Sequence, residues 1–164
     1  TALLVAARAG SLECLKLLID AGADLTAQNA YGNNALMKAI MSSQVPCAEY
    51  LLGLNGIDIH ATNRNGDTAL LVAVFNGLKS LVPQLLHANA DVNVKTRNGD
   101  TALIMAARGG RSEILEVLLN ANADTDAQNN EGKTALMYAT CFCHDSCVKL
   151  LMLANMGREA RNQG

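Results

Sequence analysis

An α-solenoid of five stacked helix-turn-helix units is the fold class that this 164-residue sequence predicts. The first observation is a hexapeptide, Thr101 to Ala106, whose near-copies begin at Thr1, Asn34, Thr68, Thr101 and Thr134, at offsets of 33, 34, 33 and 33 residues. A fixed period of that length marks one supersecondary unit repeated, in which each copy buries its apolar face only against its neighbours. The second is the helical spacing within each copy: Leu3, Leu36, Leu70, Leu103 and Leu136 each precede by three the residues Ala6, Ala39, Ala73, Ala106 and Ala139, so every pair shares a helix face. The third is composition. Hydrophobic residues make up 50% of the chain and aromatics only 3%, the balance expected where small and aliphatic side chains fill narrow spaces between helices.

The elements follow in order. Thr opens the first helix of a unit because its hydroxyl can accept a hydrogen bond from the unpaired amides of the first turn. In the first unit that helix runs to about Ala9, Gly10 makes the turn, and a second helix spans about Leu12 to Ala21. Gly22 is placed to end it in the left-handed conformation, and Asn89, Asn122 and Asn155 stand in the same column. A finger follows, with a glycine column at Gly32, Gly66, Gly99 and Gly132; Asn65-Gly66 and Asn98-Gly99 are tight-turn dipeptides.

The second unit departs most: Ser43 replaces the turn glycine of Gly10, Gly77 and Gly110, Pro46 falls early in the second helix, and one residue is added near Gly56. These changes predict an irregular turn between its helices. Pro83 lies in the first turn of its helix if Ser80 caps it, where the missing amide has no helical partner to lose. The fifth unit turns through Phe142-Cys143-His144 without glycine, and the chain stops at Gly164 in what reads as an unfinished finger. The repeats therefore run at about 1–33, 34–67, 68–100, 101–133 and 134–164, as one domain over 1–164. The first copy is no more polar than the interior ones, which predicts an excerpt of a longer array.

At these residues the chain resembles the ankyrin repeat family over its whole length. The family's Thr-Pro-Leu-His is matched by Thr in four copies of five and by Leu in all; Ala2, Ala35, Ala69, Ala102 and Ala135 replace Pro, and Leu4, Met37, Leu71, Ile104 and Met137 replace His. The resemblance implies two antiparallel helices and a β-hairpin finger per unit, and a partner surface made of fingertips and exposed first-helix ends. Loss of the His implies stacking that leans more on apolar contact. The resemblance also marks Asn93, after Leu85, Asp91 and Val92, as an acceptor for asparaginyl hydroxylation.

Several functional classes are disfavoured. Lys and Arg number 13 against 15 Asp and Glu, with no basic run, so no nucleic-acid partner is expected. No apolar run approaches the roughly 20 residues of a membrane span, and no charged-then-apolar leader precedes Thr1. Five cysteines without an even framework fit a reducing compartment, cytoplasmic or nuclear and not secreted. The column Asp24, Asp58, Asp91 and Asp124 recurs once per unit, which suits a turn-stabilising carboxylate and not an acid/base pair. Cys141, Cys143, His144 and Cys147 are all possible zinc ligands, but Cys147 shares an apolar helix column with Cys14, Cys47, Leu81 and Ile114. No enzyme activity, metal or cofactor is therefore expected.

What remains is a binding surface for another protein, on a monomer. The repeat grid places Tyr31, Arg64, Asp67, Arg97, Asp100, Glu131 and Lys133 on the fingers, and Arg8, Lys38, Met41, Phe75, Met105, Arg108, Tyr138 and Phe142 on or near the concave face. Of the five aromatics only Tyr50 lies elsewhere. The partner-binding residues expected are Arg8, Tyr31, Lys38, Met41, Arg64, Phe75, Arg97, Arg108, Lys133, Tyr138 and Phe142. Six basic residues against three acidic ones give this face a net +3, within a chain of net −2, so the partner expected is an acidic segment with apolar anchors. The alternatives are a structural spacer within a larger protein and a thiol- or zinc-dependent site in the fifth repeat.

Overall fold

A computed structural model describes the backbone of residues 1–162, and side chains through Gly157. Ten helices form among the described residues, two per repeat. They are α1 (Ala2–Ala9), α2 (Leu12–Asp20), α3 (Ala35–Met41), α4 (Val45–Leu52), α5 (Ala69–Asn76), α6 (Leu81–His87), α7 (Ala102–Arg108), α8 (Ser112–Asn120), α9 (Ala135–Cys141) and α10 (Asp145–Asn162). They fall into two compact units, Thr1–Asp91 and Val92–Gly164. In the first, α1 packs on α3 and α3 on α5, while α4 packs on α2 and α6; in the second, α7 packs on α9 and α8 on α10.

Four of the five first helices start at a side-chain cap, whereas α1 follows Thr1, whose side chain makes no capping bond. The hydroxyls of Thr68, Thr101 and Thr134 accept from the amides of Leu71, Ile104 and Met137 at 3.5, 3.3 and 3.3 Å. In α3 the cap is Asn34, whose Oδ1 accepts from Met37 N at 2.9 Å while its Nδ2 donates to the Asp58 carbonyl at 3.1 Å. The amide thus ties the helix start to the finger of its own repeat, a second bond that the Thr hydroxyls of the other copies are not seen to make. The caps stop the helices from running backward into the fingers, and an apolar stripe holds them once formed. Leu51, Leu85, Leu118 and Leu151, one column of the second helices, are fully buried, whereas Leu18 in the first repeat is only half-buried.

The turns between paired helices are alike, which corrects the expectation of an irregular turn in the second repeat. Gly10, Gly77 and Gly110 take positive φ, and so do Ser43 and Cys143 in the same column, both at 55°. The closing bonds are conserved in form: Gln44 N to Ala39 O at 2.8 Å and His144 N to Ala139 O at 2.8 Å match Leu78 N to Ala73 O at 3.0 Å. This pattern satisfies carbonyls left over at a helix end, and it holds Ser43 and Cys143 in a conformation that costs an L-residue about 1 kcal/mol or more. Ser43→Gly is therefore expected to stabilise the protein by about 1 kcal/mol in urea denaturation. An unchanged midpoint would mean that Ser43 carries no strain.

The second helices end on Gly22, Asn89 and Asn122, all left-handed, as their column predicts. Gly56, at φ 103°, makes the corresponding reversal after the inserted residue. Pro46 and Pro83 both sit in first turns, on α4 and α6; Ser80 occupies the cap position without a side-chain bond. Asn155 departs from the prediction: α10 passes through it to Asn162, and no unfinished finger forms among the described residues. The residues that follow, Met156 to Ala160, lack the Ala-Asp that starts the other fingers, and four good helix formers among them, Met156, Arg158, Glu159 and Ala160, outnumber the single unfavourable Gly157. Residues 163–164 lie outside the described part. The fingers differ from β-hairpins as well: they are tight turns, with one isolated bridge, Lys95 to Thr101, among the described residues.

Candidate protein-interaction surface

Each finger is built by side chains that replace missing strand bonds. At its base the carboxylate of Asp24 accepts from the Thr26 amide at 2.8 Å and hydroxyl at 2.7 Å, Asp58 accepts from His60 N at 2.9 Å, and Asp124 from Asp126 N at 3.1 Å. The two bonds from Thr26, the side-chain one above all, hold the Asp24 carboxyl below the usual carboxylate range. The bonds therefore persist above the ordinary pKa and are lost only as pH falls through the lowered value.

At the tip, a column that the sequence reading passed over does the closing. Asn29 Oδ1 accepts from the amides of Tyr31 and Asn33, Asn63 Oδ1 from Asn65 and Asp67, and Asn129 Oδ1 from Glu131 and Lys133, at 2.9–3.0 Å. Thr96 does the same more weakly, to Asp100 N at 3.2 Å. The signal was present: these residues recur at the repeat period and sit just before the tip, where an Asx side chain can mimic a turn.

Polar bonds also join successive fingers, so stacking leans less on apolar contact than the missing His implied. In the first unit Arg64 N donates to Tyr31 O at 2.9 Å and Asn63 Nδ2 to Asn33 Oδ1 at 3.2 Å. In the second, Asn130 Nδ2 donates to Arg97 O at 2.9 Å, Lys95 Nζ to Gln128 O at 3.0 Å, and Asp124 N to Asn93 Oδ1 at 2.8 Å. Asn93 is thus exposed but engaged through its oxygen.

On the first unit the structure leaves the expected residues accessible. Arg8, Met41 and Phe75 occupy equivalent exposed positions near the ends of α1, α3 and α5, with Phe75 62% and Met41 45% exposed. Lys38 is half-buried one turn back on α3, and Tyr31 and Arg64 stand exposed on successive fingertips. Because α3 packs on both α1 and α5, Arg8, Met41 and Phe75 stand on adjacent helices, with Lys38 one turn before Met41. Tyr50, the aromatic outside the set, is half-buried on α4 with the Lys16 ammonium 5.7 Å from its ring centroid.

On the second unit the picture changes. Arg97 and Lys133 are exposed on fingers, but Arg108 donates from Nη1 to Asp100 Oδ2 at 2.9 Å. Asp100 is buried and also accepts from Asn129 Nδ2 at 2.8 Å. Three expectations are corrected here. Asp100 is no surface acid, and Arg108 is no unpaired cation, because a carboxylate enclosed by protein holds its counter-ion closely. Met105, at 7% exposure, belongs to the interior. Tyr138 is half-buried, with the Arg108 guanidinium carbon 5.5 Å from its centroid, and lies parallel to exposed Phe142 at 6.4 Å and 5°.

The family model for ankyrin repeats, three copies, matches residues 1–63 and 70–162. The chain belongs to the ankyrin repeat family. It is 42% identical over 84 residues to the nuclear factor NF-kappa-B p105 subunit of Gallus gallus, covering 51% of this chain and 8% of that protein. To the neurogenic locus Notch protein of Drosophila melanogaster it is 32% identical over 92 residues, 56% of this chain and 3% of that protein. To ankyrin repeat and SOCS box protein 6 of Homo sapiens it is 39% identical over 69 residues, 39% of this chain and 16% of that protein. The chain therefore spans less than a fifth of the length of each of these relatives. Ankyrin repeats are in general protein-protein interaction modules. No described helix is long and apolar enough to cross a membrane.

The thiols and His144 of the fifth ankyrin repeat point in different directions. Cys147 is buried in α10, Cys141 and Cys143 are exposed, and the His144 ring lies against Gly110 with Nε2 3.2 Å from Arg108 O. Among the described residues no three His, Cys, Asp or Glu side chains converge as metal ligands. Burial pushes the Cys47 and Cys147 thiols up, away from the reactive thiolate. Three cysteines, Cys14, Cys141 and Cys143, are exposed. We expect these three to react rapidly with a disulfide reagent in the folded protein, and the remaining two only after unfolding. Rapid reaction of all five in the native state would contradict the burial of Cys47 and Cys147.

Proposed function

We propose that this ankyrin repeat chain is a protein-binding module that takes acidic segments carrying apolar anchors, along its fingertips and first-helix ends. The observation that carries the reading is the exposure of Met41, Phe75 and Phe142 at the ends of α3, α5 and α9, in a chain with so few aromatics. Large apolar groups left in water at such positions are candidate anchors, since aromatic side chains dominate the energetics of many interfaces. Exposed Arg8 lies near the end of α1, and exposed Arg64, Arg97 and Lys133 on the fingers, which favours encounter with an acidic partner.

Crosslinking in a cell extract followed by mass spectrometry would supply a partner, and two substitutions then test the surface. Phe75→Ala should weaken binding by about 2 kcal/mol, mainly through faster dissociation. Arg97→Glu should chiefly slow association and flatten its salt dependence. Affinity indifferent to both changes, or a binding strip that maps to the second helices, would refute the proposal.

A further inference from the structure

We infer that the second unit selects an uncharged aromatic side chain, which docks on the Tyr138–Phe142 plate, and that Arg108 is a positioning residue for that plate and not a cation that meets the partner. This rests on the reading that the face binds protein, and names what one part of it accepts.

The geometry is a chain of contacts with one open end. Asp100, 4% exposed, takes Arg108 on one oxygen and Asn129 on the other, at 2.9 and 2.8 Å. The Asn129 amide nitrogen also lies 3.1 Å from Tyr138 Oη, so finger and ring are fixed together. Arg108 covers the Tyr138 ring, Phe142 lies parallel to it, and His144 stacks on Phe142 at 6.1 Å and 27°. His144 is held in turn by the Arg108 carbonyl. The exposed member is Phe142, at 52%.

Asp100 already holds Arg108 Nη1, so a partner carboxylate gains at most a second, solvated ion pair on the exposed part of the guanidinium, a contact worth little. An aromatic ring gains more, since it adds an offset or edge contact to rings already ordered. Exposed Arg97 and Lys133 on the fingers of this unit then suit acidic residues flanking that ring.

The test uses the full chain and three blocked peptides, Asp-Glu-X-Glu-Asp with X as Phe, Ala or Glu, titrated by NMR while the aromatic resonances are followed. The Phe peptide should shift the Tyr138 and Phe142 rings and bind about tenfold tighter than the other two, and Phe142→Ala should remove that advantage. Arg108→Met, made together with Asp100→Asn so that no buried carboxylate loses its counter-ion, keeps the stem and deletes the charge. It should weaken the Phe peptide severalfold and leave the Glu peptide unchanged, whereas a binding cation would show the reverse. Equal binding of all three with shifts at Arg97 and Lys133 would overturn this inference and leave the protein-binding reading standing. No shift from any peptide at finger or first-helix residues would count against both.

Discussion

Leu118→Ala should lower the free energy of unfolding by roughly 2–5 kcal/mol. Leu118 lies on α8, fully buried, and its carbonyl accepts the amide of Ala123 that closes the helix end at 3.0 Å. Truncation removes the transfer energy of the side chain and leaves a cavity that close-packed helices fill only in part. Leu85→Ala, equally buried on α6, should cost a comparable amount. Leu18 supplies the internal control, since it stands in the same column but is half-buried, so Leu18→Ala should cost clearly less. Urea denaturation followed by circular dichroism measures all three. A loss below about 0.5 kcal/mol at Leu118 or Leu85, the range of exposed sites, would remove that column from the core.

Gly110→Ala should cost roughly 2–4 kcal/mol, through two effects that a second substitution separates. Gly110 has φ 65°, and a Cβ there would come within 2.8 Å of the His144 ring. The first effect is the left-handed strain of any L-residue; the second is displacement of the ring that bonds the Arg108 carbonyl and stacks on Phe142. Gly132 has φ 72° with nothing within 4 Å of its added Cβ, so Gly132→Ala should show the strain alone, about 1 kcal/mol. If the two substitutions destabilised equally, the His144 contact would contribute nothing. Loss of the Phe142–His144 ring-current shifts in Gly110→Ala would show the displacement directly.

The helices were legible because their signals are local and repeated. The Thr caps act three residues ahead, and the left-handed positions of Gly22, Asn89 and Asn122 follow from what those residues tolerate. The exposure of Met41 and Phe75 was legible for the same reason, since the two share one column; Phe142 stands one position later, at the cap of α9, and is exposed as well. Ser43 was misjudged because a local rule met a cooperative one: with both flanking helices packed, the turn keeps its form and the serine bears the strain.

By itself, then, the sequence determined the repeat length, the two helices per unit, the caps, the buried leucine column and the family. All of these depend on chemistry within a few residues, restated in successive copies. Only the tertiary structure decided that Arg108 turns inward to Asp100, eight residues away, that Asn129 reaches back across 29 residues to the same carboxylate, and that Asn155 stays helical. The first two depend on which side chains stacking brings within about 3 Å and on how little water reaches them. Spacing along the chain places an arginine on a surface, but burial of its partner decides whether the charge remains available there.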